Sequence, residues 1–165
     1  VYKRQIYLYG NMDMEEKLAF LDEHYLSHFD YLDVDSVIQE QKAFGACQDV
    51  TLEYPVAENE GEEDNTYLSY NMVVGNAADS QMAMAFEVLD YALLSAPGAP
   101  LKQALLDVKA GKDVYGSYDD GILQPYFTVI AKGSNPDRKE EFVSVIRQVL
   151  GDIVKNGIDK KAVEA

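Results

Sequence analysis

The sequence predicts an α+β domain: an antiparallel or mixed sheet with helices packed on one face. Three observations carry this expectation. Several short segments alternate apolar and polar residues, the period of a strand. Others repeat apolar residues three and four apart, the period of a helix. The strand segments come mostly in pairs rather than singly between helices, which argues against a doubly wound nucleotide-binding fold. The expected order is β-α-β-β-α-α-β-β-α.

Residues 5–9 read as a first strand closed by Gly10-Asn11. Asp13, with Glu16 three residues later, suits the start of a helix. Met14, Leu18, Leu21 and Tyr25 give that helix one apolar stripe, and it is expected to end near Phe29. Residues 30–46 are expected to be mainly extended. Residues 48–54 put Val50, Leu52 and Tyr54 on one face of a strand. An acidic loop follows with Glu58, Glu60, Glu62, Glu63 and Asp64. Residues 66–74 alternate again, with Leu68, Tyr70, Met72 and Val74 inward. The two segments are expected to pair antiparallel around the loop.

Asp79 or Ser80 caps the next helix, and Met82, Phe86, Leu89 and Leu93 form its apolar face. Pro97-Gly98-Ala99-Pro100 breaks it, and residues 101–108 form a shorter helix before Gly111. Residues 113–118 and 122–132 read as strands joined at Asp119-Asp120-Gly121, a hairpin signal. Asn135 and Pro136 open a last helix with Phe142, Val145, Ile146, Val149 and Ile153 on its stripe. Gly157 fits its C-terminal stop.

The 165 residues suit one domain over 1–165, and 47% apolar residues suffice for a core. The formal charge of −15 opposes binding to nucleic acid or to an anionic membrane. No stretch reaches the roughly 18 apolar residues of a membrane span. Cys47 stands alone, so no internal disulfide is expected, and a reducing compartment is: the cytoplasm or an organelle matrix. Val1, the strand-like lead of residues 2–7 and a helix starting over residues 158–165 set the expectation of a piece of a larger enzyme.

His24 and His28, the two histidines, lie four apart on the first expected helix. Ser27 stands where H-x-x-E-H has its glutamate, and Tyr25 where H-E-x-x-H has it. A metal site is therefore not expected there. The acidic loop lacks the alternation of an EF-hand. Gly111-Lys112 lacks the flanking residues of a phosphate-binding loop, and Tyr115 stands where Gly116-Ser117 would need the first glycine of a nucleophile elbow. No self-contained active site is read from these residues.

Several segments resemble a known family in their order. They are Tyr9-Gly10-Asn11, Thr66-Tyr67-Leu68-Ser69-Tyr70-Asn71-Met72-Val73-Val74-Gly75 and Phe86-Glu87-Val88-Leu89-Asp90-Tyr91-Ala92-Leu93-Leu94. Pro97-Gly98-Ala99-Pro100-Leu101-Lys102-Gln103-Ala104-Leu105, residues 113–121 and Gly157-Ile158-Asp159 complete the set. The set resembles the second, non-catalytic domain of the presequence-protease branch of the pitrilysin/insulinase zinc peptidases. The resemblance implies a metallopeptidase-like fold without metal in this chain. It implies zinc in the first domain of the parent polypeptide and a place in the wall of a peptide-degrading chamber. It places Glu87, Asp90 and Tyr91 where the first domain has H-x-x-E-H. Their plain alternative reading is the polar edge of a packed helix. The implied partners are the other domains of the same polypeptide and peptide substrates. The same fold also serves as a catalytically silent core subunit, the alternative role. Tyr115, Tyr118, Asp119 and Gln124, on the hairpin over residues 113–132, are the expected contacts with peptide or a neighbouring domain.

Overall fold

The structure is a computed structural model and describes residues 5–158. It forms two compact units, one up to Gln39 and one from Glu40.

The first unit holds helix α1, Met14–His24, and a single 3-10 turn, Leu26–His28. Asp13 caps α1 as the sequence implied: its Oδ1 accepts from the Glu16 N–H at 3.1 Å. Residues 5–9 form no strand. A strand exists only through cross-strand hydrogen bonds, and this segment has none among the described residues.

The second unit is a three-stranded antiparallel sheet with helices on one face. Its strands are β1, Thr66–Val73; β2, Asp113–Asp119; and β3, Tyr126–Ser134, in the order β1-β3-β2. Helix α2 spans Ser80–Asp90 and runs into one wide π turn, Tyr91–Ser95. Helix α3 is Pro100–Asp107 and α4 is Lys139–Asn156. Asp79 caps α2, accepting from the Met82 N–H at 3.0 Å. Gly157 stops α4 at φ +80°, where a side chain would be strained. Asn135 does not cap α4; a short 3-10 turn, Pro136–Arg138, intervenes.

The core forms where these helices meet the sheet. Leu68, Val114, Phe127, Val129 and Ala131 come from the strands, and Leu93, Leu94, Leu101, Leu105, Phe142 and Ile146 from the helical segments. Each buried Leu, Ile or Phe is worth roughly 1.5–3 kcal/mol of transfer free energy. Gly116 of β2 is required here. A Cβ on it would strike the Thr128 carbonyl oxygen and Leu94 Cδ1.

Two expectations about the sheet are corrected. Residues 48–54 are not a strand, and β1 does not pair with them; it pairs with β3, Leu68 opposite Ala131 and Tyr70 opposite Val129. This register buries the inward residues of both strands together. Leu52 stays 84% exposed, and the Tyr54 hydroxyl donates to the Asn65 carbonyl. The β2–β3 hairpin has its first pair at Asp119 and Tyr126, so its loop is wider than an Asp-Gly turn. The helix expected over residues 158–165 lies, beyond Ile158, outside the described residues.

Candidate functional site

The hairpin residues divide between two faces. Tyr115 pairs with Ile130, on the side of the sheet away from the core, and is 39% exposed. Tyr118 sits on the opposite, helix-facing side and packs against the core. Its ring stacks on Phe86 of α2, and burial, then the charges of Asp120, Glu87 and Asp79, push its hydroxyl pKa up. Asp119 works within the hairpin: Oδ1 accepts from the Gly121 N–H at 3.0 Å and Oδ2 from the Tyr126 hydroxyl at 3.1 Å. That bond also raises the Tyr126 pKa. Gln124 clasps the backbone of Gln41. Its Oε1 accepts from the Gln41 N–H at 2.6 Å, and its Nε2 donates to the Gln41 carbonyl at 3.1 Å. The four expected contact residues therefore do not converge on one surface.

Glu87, Asp90 and Tyr91 lie at the junction of α2 with the π turn. The Tyr91 N–H bonds back to the carbonyls of Glu87 and Val88. Glu87 is exposed, Tyr91 is 44% exposed and Asp90 is half-buried. Asp90 Oδ1 is the one buried side-chain oxygen or nitrogen among the described residues without a hydrogen-bond partner. Burial raises its pKa. These residues do not fit zinc. Zinc takes histidine nitrogen, thiolate or carboxylate in a tetrahedral set, and Tyr91 adds none of these. No group of three His, Cys, Asp or Glu stands close enough to hold a metal among the described residues.

His24 and His28 fail for a separate reason. α1 ends at His24, and Tyr25 leaves the helical region at φ −139°. The register that would put both imidazoles on one face is broken between them. The His24 ring rests against Phe20 with centroids 4.5 Å apart.

One feature escaped the sequence reading. Asp64, Asn65, Tyr67, Lys112, Asp113, Lys132 and Gly133 line a cleft of about 360 Å³ at one end of the sheet. Asp64 has φ +58°, and its N–H and carboxylate both bond to the Asn135 amide, at 2.8 and 2.7 Å. Asn135, then Lys112, hold its pKa below the ordinary value. The signal was the pair Gly111-Lys112 and Lys132-Gly133, brought together where the Lys112 N–H donates to the Lys132 carbonyl at 2.8 Å.

No helix among the described residues is long and apolar enough to cross a membrane. The family model described as "Peptidase M16 inactive domain" matches residues 5–165. The chain is 43% identical over 160 residues to Protein HypA of Clostridium perfringens, covering 97% of this chain and 16% of that protein. It is 28% identical to presequence protease 1, chloroplastic/mitochondrial, of Arabidopsis thaliana, covering 98% of this chain and 15% of that protein. It is 24% identical to the mitochondrial presequence protease of Xenopus laevis, covering 98% of this chain and 16% of that protein. The chain thus spans about a sixth of the length of these relatives. It belongs to the M16 peptidases, the pitrilysin/insulinase family, as a copy of that family's inactive domain.

Proposed function

We propose that this chain is a non-catalytic wall domain of a zinc-dependent endopeptidase that degrades peptides. The observation that carries the reading is the inactive-domain match over residues 5–165. The relatives named presequence proteases support peptides as the substrate class. The site chemistry agrees. Glu87, Asp90 and Tyr91 offer a poor ligand set, so the zinc belongs to another domain of the polypeptide. This domain then contributes surface and rigidity: its packed helices back the sheet, and Tyr115 presents broad contact area on the sheet's other side. Its partners are the other domains of the same polypeptide and the peptide held between them. A reducing organelle matrix or the cytoplasm suits the single Cys47.

Peptide turnover by the full-length protein is the test. Unstructured peptides should be cleaved with zinc bound and left intact after chelation. Tyr115→Ala should lower turnover without changing zinc content or melting midpoint. A zinc-loaded protein that leaves such peptides intact would falsify the reading.

A further inference from the structure

We infer that the cleft between Lys112 and Lys132 receives a single carboxylate of a peptide, either its C-terminus or an Asp or Glu side chain. The inference rests on the peptide-handling reading above. It starts from charge. The chain carries 29 acidic residues against 14 Lys and Arg, whereas the seven residues lining this cleft hold two lysines and two aspartates. Lys112 Nζ lies 3.3 Å from Asp64 Oδ2, and Lys102 Nζ lies 3.8 Å from the cleft residue Asp113. Lys132 has no carboxylate within 4 Å among the described residues; its ammonium lies 5.9 Å from the centre of the Tyr67 ring. Asp113 and Asp64 are thus engaged by Lys102, from outside the cleft, and by Lys112, and the Lys132 ammonium is left without a carboxylate partner among the described residues. A carboxylate brought to Lys132 would complete a third ion pair at this end of the sheet.

The cleft is also built to hold its shape. The Asn135 amide fixes Asp64 from two sides, and Asp64 in turn fixes the Lys112 ammonium. The Lys112 and Lys132 backbones are joined by the bond between them. Gly133, at φ +68°, lets the Lys112 stem lie against the chain; a Cβ there would stand 3.0 Å from it. Lys132 is left as the donor for an incoming anion, with the half-exposed Tyr67 ring beside it for the ligand's carbon atoms. The volume is at the small end of ligand sites, so it admits a side chain or a chain end rather than a folded partner.

The test uses the full-length protein treated with chelator, so that binding is read without cleavage. One short unstructured peptide is prepared with a free C-terminus, with a C-terminal amide, and as the amide with one central Glu. Fluorescence anisotropy gives each affinity at low salt. At least one carboxylate form should bind about 10-fold more tightly than the neutral amide, the size of one charge-assisted hydrogen bond. The form that gains identifies the source as chain end or side chain. Lys132→Gln should erase the difference and Lys132→Arg should retain it, both with the wild-type melting midpoint. Equal binding of the three peptides, or a difference that survives in Lys132→Gln, overturns the site. So does inorganic phosphate competing better than acetate. With zinc restored, turnover reads the parent function separately. A protein that discriminates the peptides without cleaving them keeps this site and removes the peptidase reading; one that cleaves them but binds all three alike removes the site alone.

Discussion

Tyr118 of β2 stacks on Phe86 of α2, with ring centroids 5.5 Å apart and an interplanar angle of 20°. Phe86 also meets Phe127 of β3 at 6.1 Å, so Tyr118 belongs to an aromatic seam joining helix to sheet. Tyr118→Ala should therefore destabilise the domain by roughly 2–4 kcal/mol, near the low end for a truncated buried aromatic. Tyr118→Phe keeps the stack and should stay within about 0.5 kcal/mol of wild type. Denaturant titrations of both variants decide it. An unchanged midpoint for the alanine variant would restore Tyr118 as a free contact residue.

Two glycines should respond to alanine with opposite signs. At Gly116 the new methyl meets the Thr128 carbonyl oxygen and a Leu94 methyl. The cost should be about 1–3 kcal/mol or more, the range for overpacking. At Gly151, inside α4, nothing lies within 4 Å of the added Cβ. Alanine there should stabilise by about 0.5–1 kcal/mol, through helix propensity alone. Thermal melts of the two variants shifting in the same direction would refute the packing described for β2.

The helices were legible in the sequence because their signals are local. Asp13, Asp79 and Gly157 each act within one turn, and all three sit where the sequence placed them. The strand partners were not legible. Alternation at Leu68, Tyr70 and Met72 tells which side chains share a face, but not which distant strand supplies the hydrogen bonds. β1 therefore found β3 rather than residues 48–54. The same limit hid the cleft, since only the fold brings Lys112, Lys132 and Asp64 together. Tyr118 alternates with Val114 and Gly116, and that period already sets it on the core side of β2.

Of the apolar stripe expected at Met82, Phe86, Leu89 and Leu93, only Leu93, in the π turn, is fully buried, and α2 itself holds no fully buried residue. The wide turn adds a residue to the helical period, so Leu94 joins the expected Leu93 in the core while the expected Leu89 lies at its edge. Leu93 and Leu94 are 4% and 2% exposed, whereas Leu89 is half-buried. Leu94→Ala should cost about 2–5 kcal/mol and Leu89→Ala about 1–2 kcal/mol. A larger loss at Leu89, in paired denaturant titrations, would mean that α2 keeps an unbroken period through residue 95.

Asp90 gives a prediction that depends on pH. Its Oδ1 is buried without a partner, and burial raises its pKa in the folded state. An acid whose folded pKa lies above its unfolded value, about 3.9, binds more protons folded than unfolded in the window between the two. Stability from this group therefore falls as pH rises through that window, and the penalty is complete above the folded pKa. Asp90→Asn removes the charge and keeps the shape. The variant should be more stable than wild type at pH 7, by on the order of 0.5 kcal/mol, because the carboxylate is still partly solvated. The gain should shrink as the pH is lowered and vanish below about pH 3.9, where the wild-type carboxyl is protonated in both states. Melting midpoints of the two proteins across pH 3 to 8 test this directly. A constant difference across the series would show that the amide acts through its own hydrogen bonds. A wild type more stable than Asp90→Asn at pH 7 would show instead that the carboxylate has a partner in solution.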